Sequence, residues 1–198
     1  AKGIDDLEQP DSTVEAMAAY CIKNMKKVQP NGPYILCGFS SGGTVAYEMS
    51  CQLIENGEKV ARLFMVDSFS PLHQYPISLK IEKIWRLIQK KRFRELQEIF
   101  YHTSLSLLGM KRLRHLKALG ESHRWALWNY QAKPCSSDMV YIEAADDGKR
   151  ENPACSGWKE LVHGKIHVEK VSASHGLIVK EPYVLELASR FEAFLQDI

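Results

Sequence analysis

Directly after a turn rich in proline and glycine, the chain reads Tyr34-Ile35-Leu36-Cys37-Gly38-Phe39-Ser40-Ser41-Gly42. Its first four residues form a short apolar run, which is typical of a strand buried on both faces of a parallel sheet. The last five residues match the pattern G-x-S-x-G, and helical periodicity follows from about Thr44 to Glu55. A buried strand, a serine between glycines and a helix in direct succession predict a sharp strand-to-helix turn with Ser40 at its tip.

The segments on either side of this turn predict an α/β protein with a mostly parallel sheet. A helix is expected over residues 12–29, because Ser12 and Glu15 have capping-box spacing and apolar residues then recur at helical period. Residues 63–66 predict the next strand, so strand, helix and strand fit one βαβ unit. The pattern continues with strands at 139–142 and 166–171 and a final helix from about Pro182.

Residues 72–135 show helical periodicity and no strand pattern, which predicts a helical insertion within one domain spanning residues 1–198. Between Lys80 and Lys117 there are 11 lysines and arginines against 3 acidic residues, a net charge of +8. Because the whole chain carries +2, the remainder sums to −6. Such a basic segment is either the solvated face of amphipathic helices or a docking surface for an acidic partner.

Composition argues against several other classes of protein. The 198 residues are 45% hydrophobic and can bury a sizeable core, while a net charge of +2 is too balanced for a general nucleic-acid-binding surface. No run approaches the roughly 18 apolar residues that cross a bilayer, and no leader pattern opens the sequence. Five cysteines without a C-x-x-C pair argue against a disulfide framework and a zinc cluster. We therefore expect a cytoplasmic protein without metal, membrane or nucleic-acid binding.

Ser40 is the candidate nucleophile. A serine hydroxyl attacks poorly at neutral pH unless a base takes its proton and a third group orients that base. His175 has the expected position for the base, in the loop between the last strand and the last helix, whereas His163 precedes that strand and His167 lies within it. The backbone N–H of Ser41 is the expected oxyanion donor. The remaining elbow residues are Gly38, Phe39, Gly42 and Gly43.

Two positions are open for the acid that orients the histidine. Asp67 closes the strand after the elbow helix, and Asp146 and Asp147 follow the strand at 139–142. Loops at the carboxyl ends of parallel strands meet at one edge of the sheet, so geometry permits either position.

Residues 31–49 read Asn31-Gly32-Pro33-Tyr34-Ile35-Leu36-Cys37-Gly38-Phe39-Ser40-Ser41-Gly42-Gly43-Thr44-Val45-Ala46-Tyr47-Glu48-Met49. This run resembles the elbow region of the thioesterase domains that end nonribosomal peptide synthetases and polyketide synthases, which make secondary metabolites. The resemblance continues through Gln52-Leu53, Gly57, Val60, Val66-Asp67-Ser68, and His175 before Pro182.

The resemblance implies an α/β-hydrolase fold in which residues 72–135 form a lid. It favours Asp67 as the acid, although the position of Asp146 and Asp147 is the commoner one among α/β-hydrolases. It also implies strands before the first helix. Nothing before Ser12 can form them, so N-terminal strands are expected to be absent from this chain, together with the loop that supplies the second oxyanion donor.

The function that the resemblance implies is a two-step acyl transfer. An acyl or peptidyl chain, held on the phosphopantetheine of an acyl or peptidyl carrier protein, would pass to Ser40. Hydrolysis or macrocyclisation would then release a small acyl or peptide product, with no cofactor bound to the thioesterase itself. Two other interpretations are a stand-alone serine esterase or editing thioesterase, and a non-catalytic α/β-hydrolase-like binding module that has kept the elbow.

Overall fold

A computed structural model of the chain describes residues 11–73, 111–145 and 155–196. Helices and strands alternate through these ranges, with short 3₁₀ turns at Pro71–His73 and Ser156–Glu160. The elements are α1 (Val14–Val28), β1 (Tyr34–Phe39), α2 (Ser41–Glu55), β2 (Val60–Val66), α3 (Lys111–Asn129), β3 (Met139–Ala144), β4 (Ile166–Val171) and α4 (Tyr183–Leu195).

The described strands form one parallel sheet in the order β1-β2-β3-β4, which confirms the predicted α/β architecture. Phe39 pairs with Val66, and Val66 pairs with Ile142. The carboxyl ends of the first three strands are therefore nearly level. Because the strands are parallel, the loops that follow them open onto the same edge of the sheet.

The side chains of β2 divide the core into two layers, because successive residues of a strand point to opposite faces. Leu63 and Met65 belong to the cluster that α1 and α2 cover, together with the fully buried Trp158. Phe64 and Val66 belong to the cluster that α4 covers. The central strands β2 and β3 are thus covered on both faces, as their apolar runs predict.

The same prediction is wrong for β1, where burial alternates and Ile35 and Cys37 are exposed. Strand β1 lies at one end of the described sheet, and only its Phe39 packs against the cluster that α4 covers.

Helix α1 has a different cap from the one that the sequence predicts. Thr13 is the N-cap, with extended backbone angles, and its Oγ1 accepts a hydrogen bond from the backbone N–H of Ala16 at 3.1 Å. The predicted pairing of Ser12 with Glu15 is therefore wrong. A Ser-Thr pair offers two chemically equivalent capping hydroxyls, and spacing alone does not choose between them.

The predicted insertion is described only in part, since residues 74–110 lie outside the described ranges. Its C-terminal part forms α3, which packs against α1 where Ala126 and Tyr130 meet Val14. The Tyr130 hydroxyl also donates to Glu48 Oε2 on α2 at 2.6 Å. Within the described ranges, no helix has the length and apolar character needed to cross a membrane.

Trp158→Phe is expected to lower the free energy of unfolding by about 2–3 kcal/mol. The indole is fully buried, and its Nε1–H donates to the Ser68 carbonyl at 2.7 Å, so the smaller ring leaves a cavity and removes a buried hydrogen bond. Guanidinium unfolding measures the change. Trp125→Phe is the matched control, because Trp125 is 65% exposed, and equal losses in the two variants would contradict this packing.

Candidate active site

Ser40 stands at the turn between β1 and α2 with φ of 54° and ψ of −126°, a conformation that residues with a side chain rarely adopt. Hydrogen bonds hold both sides of this residue. Its N–H donates to the Val66 carbonyl at 2.9 Å, and its own carbonyl accepts from the Gly43 N–H at 3.1 Å and from Ser68 Oγ at 2.5 Å. A strained backbone conformation persists where several neighbouring contacts hold it. Such residues are common at active sites.

At two of the elbow positions, a residue larger than glycine would overlap neighbouring atoms. A Cβ on Gly38 would lie 2.4 Å from the Gly42 carbonyl oxygen, and a Cβ on Gly43 would lie 2.2 Å from Ser68 Oγ. A Cβ on Gly42, by contrast, would meet no atom of the described residues within 4 Å. The strand and helix can therefore approach closely enough for the turn because Gly38 and Gly43 have no side chain.

Asp67 directly follows β2 and is fully buried. Its backbone also has a positive φ, 43°, and its N–H donates to the Ile142 carbonyl at 2.7 Å. The carboxylate accepts hydrogen bonds from the Ala144 N–H to Oδ1 at 3.2 Å and from His175 Nδ1 to Oδ2 at 2.6 Å. A buried carboxylate needs such donors to offset its loss of hydration, and Asp67 obtains one from the neighbouring strand.

His175 lies between Asp67 and Ser40, in the loop after β4. Its Nε2 is 3.0 Å from Ser40 Oγ, and its ring stacks on Phe39 with centroids 5.0 Å apart. An ionised carboxylate can only accept, so the Nδ1 that faces Asp67 carries a proton. In the neutral imidazole, Nε2 then has the lone pair that accepts the proton of the Ser40 hydroxyl, which is the arrangement of a general base beside a nucleophile.

The structure therefore brings together three of the residues singled out in the sequence, namely Ser40, Asp67 and His175. The competing histidines lie elsewhere: His163 precedes β4, and His167 lies within it with its ring 5.3 Å from that of Phe194. The alternative acids, Asp146 and Asp147, lie outside the described residues.

Ser68 supports this constellation in a way that sequence reasoning missed. Its hydroxyl donates to the Ser40 carbonyl, and its own carbonyl accepts from the Tyr141 hydroxyl at 3.0 Å and from Trp158 Nε1 at 2.7 Å. Ser68 thus connects the turn at Ser40 to the buried core. It lies within the segment of family resemblance, but a serine after a strand has no chemical signature that marks this role.

His123 on α3 is a second residue that sequence reasoning did not single out. Its Nε2 lies 3.3 Å from the side-chain oxygen of Ser41, the residue directly after Ser40. Partial burial lowers the pKa of the His123 imidazole below its usual value, which favours the uncharged ring. Helical periodicity places His123 on α3 but does not indicate what its side chain faces.

A cleft of about 440 Å³ lies beside the loop that follows Asp67. Pro71 and Leu72 line one side, and Trp128 and Ala132 line the other. The cleft therefore lies between the segment after β2 and the end of α3.

Comparison with known proteins shows which family the chain is similar to. A family model described as thioesterase domain matches residues 2–195. The chain is similar to the non-reducing polyketide synthase terA of Aspergillus terreus, at 26% identity over 89% of this chain and 9% of that protein. It is also similar to malpibaldin synthetase of Mortierella alpina, at 36% identity over 88% of this chain and 3% of that protein. The chain spans less than a tenth of the length of these relatives.

Among solved structures, the chain resembles the NocB thioesterase domain in covalent complex with a fluorophosphonate nocardicin G analogue. The TM-score is 0.67 at 22% identity, over 96% of this chain and 77% of the solved chain. A likeness at this identity shows a shared fold.

Gly43→Ala is expected to lower the free energy of unfolding by about 1–3 kcal/mol, because the new methyl group overlaps the side chain of Ser68. Gly42→Ala is the matched control in the next position, where the same methyl group meets open space and alanine favours the helix. Urea unfolding of both variants measures the difference. An equal loss in the two variants would contradict the close contact at Gly43.

Proposed function

The chain belongs to the thioesterase domain family, enzymes of the α/β-hydrolase fold that act on thioesters, and we propose that it releases an acyl or peptidyl chain from the phosphopantetheine arm of a carrier protein. The observation that carries this proposal is the continuous line of hydrogen bonds from Asp67 through His175 to Ser40. That line combines a nucleophile, a base and an orienting acid in the arrangement that acyl transfer needs.

In the first half-reaction, Ser40 Oγ attacks the thioester carbonyl carbon while His175 Nε2 takes the hydroxyl proton. The resulting tetrahedral intermediate carries its negative charge on the former carbonyl oxygen. When it collapses, the carbon–sulfur bond breaks and His175 returns the proton to the leaving thiol. The products are an ester on Ser40 and the free thiol of the carrier arm.

The negative charge of the intermediate would develop beside the N-terminus of α2. We expect the backbone N–H of Ser41 to donate to this oxygen, because Ser41 is the first residue of α2 and the first N–H groups of a helix have no partner within the helix. The positive end of the helix dipole adds to the attraction. One such oxyanion donor contributes about 3 kcal/mol to catalysis in well-studied hydrolases.

In the second half-reaction, a nucleophile attacks the carbonyl carbon of the ester while His175 Nε2 takes its proton. The bond between that carbon and Ser40 Oγ then breaks, and His175 returns the proton to Ser40 Oγ. Water gives a free acid by hydrolysis, whereas a hydroxyl or amine of the bound chain gives a ring by macrocyclisation. Asp67 holds the Nδ1–H of His175 throughout and stabilises the imidazolium that forms in each half-reaction.

A carrier protein as partner is supported by the nature of the relatives, which are synthases many times longer than this chain. The sequence adds a charge argument. The segment from Lys80 to Lys117 carries +8 and is suited to an acidic partner. A carrier protein with an acidic face would satisfy both observations, and the phosphopantetheine would enter as part of the substrate.

Labelling with a fluorophosphonate, followed by intact mass, tests the assigned roles. Wild type is expected to gain one adduct, and Ser40→Ala is expected to gain none. His175→Ala and Asp67→Asn are expected to label at least a hundredfold more slowly, since Asp-to-Asn changes in such triads cost up to about 10⁴ in rate. Asp146→Asn and Asp147→Asn are the matched acid controls and are expected to label at the wild-type rate.

Each other outcome of the labelling points to a definite alternative. Fast labelling of Asp67→Asn together with slow labelling of Asp146→Asn or Asp147→Asn would transfer the role of the acid. No labelling of the wild-type chain would favour a binding module that has kept the elbow without its chemistry.

Release from a carrier protein is expected to be faster than hydrolysis of a free ester and to slow as salt is added. We predict at least a tenfold higher kcat/KM for an acylated carrier protein than for the ethyl ester of the same acyl group. The same acyl group on N-acetylcysteamine is the control: salt should slow the carrier reaction and leave this uncharged thioester nearly unaffected. Preference for the ethyl ester would indicate a stand-alone esterase instead.

A further inference from the structure

The peptide group that joins Ser40 to Ser41 is held from its carbonyl side. Its oxygen accepts hydrogen bonds from the Gly43 N–H and from Ser68 Oγ. The N–H at the opposite side of the same peptide is the oxyanion donor of the proposed reaction. Because the peptide group is planar, the direction of that N–H follows the orientation of the whole plane, so every contact that holds Ser40 or Ser41 bears on it.

His123 contacts the side chain of Ser41, the residue on the N–H side of this peptide group. Its Nε2 lies 3.3 Å from Ser41 Oγ, on the residue whose backbone N–H is the donor. Ser41 is the first residue of α2, and His123 comes from α3, which is 82 residues away in the sequence. The contact therefore joins the helix of the insertion directly to the elbow.

Helix α3 has other attachments, so the His123 contact is not needed to keep the helix in place. Tyr130 donates to Glu48 Oε2 at 2.6 Å, Ala126 packs against Val14, and Ser122 Oγ donates to the Asp11 carbonyl at 3.3 Å. These contacts fix α3 on both sides of His123. Loss of the imidazole is therefore expected to change the elbow more than it changes the position of the helix.

We propose that His123 is a positioning residue for the oxyanion donor, which it orients by holding the side chain of Ser41. The inference rests on the proposed thioesterase function, since it assigns a role in stabilising the tetrahedral intermediate. His123 does not touch the reacting atoms in this role. It acts through Ser41, while Ser68 and Gly43 act through the carbonyl of Ser40.

Misalignment of the oxyanion donor reduces the stabilisation of the transition state more than that of the bound substrate, because the full negative charge exists only after attack. Loss of His123 should therefore lower kcat and leave KM nearly unchanged. One neutral hydrogen bond corresponds to about a three- to tenfold change in rate. A residue that merely stabilises the fold would instead lower the unfolding midpoint and leave kcat of the folded protein intact.

The test measures kcat and KM for an acyl-N-acetylcysteamine thioester together with the thermal unfolding midpoint of each variant. His123→Phe keeps a ring without nitrogen, and His123→Gln replaces the ring nitrogen with an amide that can reach Ser41. Ser41→Ala removes the partner hydroxyl but keeps the backbone N–H. Ser122→Ala removes the neighbouring contact of α3 to Asp11 and is the matched control.

We expect His123→Phe and Ser41→Ala each to lower kcat three- to tenfold, the double variant to fall no further, and His123→Gln to recover most of the loss. Ser122→Ala should keep the wild-type kcat. Wild-type kcat in His123→Phe, multiplicative losses in the double variant, or an equal loss in Ser122→Ala would overturn this inference alone. A wild-type chain that hydrolyses no thioester would instead contradict the proposed function, and the inference with it.

Discussion

The left-handed turn at Ser40 is the constraint on which the rest of the site depends. A residue with a side chain at φ of 54° is strained, and it persists here because neighbouring groups hold it from several directions. Gly38 and Gly43 leave the space that the turn needs, and Ser68 binds the carbonyl of the strained residue. The result is a hydroxyl that projects from the end of β1 towards a histidine, at the N-terminus of a helix.

Parallel pairing of the strands then supplies the other two groups. Ser40 follows β1, Asp67 follows β2 and His175 follows β4, so three loops from one edge of the sheet converge. The strand between the last two also contributes, because the Ala144 N–H at the end of β3 donates to the Asp67 carboxylate. A buried acid is thereby compatible with a stable fold, and it holds the histidine ring in one orientation.

The sequence predicts those features that depend on local order and misses those that depend on distant contacts. The strand, the G-x-S-x-G turn and the following helix are local, and the structure has them in the predicted order. The strand is nevertheless exposed on one face at Ile35 and Cys37, because burial depends on which distant elements cover it. The helix begins at Ser41, three residues before the periodic pattern does. The position of His175 follows from the order of strands and loops. The choice between Asp67 and the pair Asp146 and Asp147 did not follow from the residues alone, because each follows a parallel strand. The resemblance to thioesterases, rather than geometry, favoured Asp67.

Ser68 and His123 show why the remainder could not be predicted. Ser68 acts on a carbonyl 28 residues away, and His123 contacts a side chain 82 residues away. Both contacts arise from the packing of one element on another, which periodicity does not specify. The prediction of the α1 cap was wrong for a local reason, since Ser12 and Thr13 offer the same hydroxyl chemistry at adjacent positions.

Trapping of a covalent intermediate tests whether Ser40 is the nucleophile. The chain is mixed with a slowly hydrolysed acyl thioester and quenched in acid within the first turnover, and the acylated peptide is located by mass spectrometry. We expect one acyl group, attached to Ser40. Release of the acid with no acylated peptide at any time, or an acyl group on the exposed Cys37 instead, would contradict it.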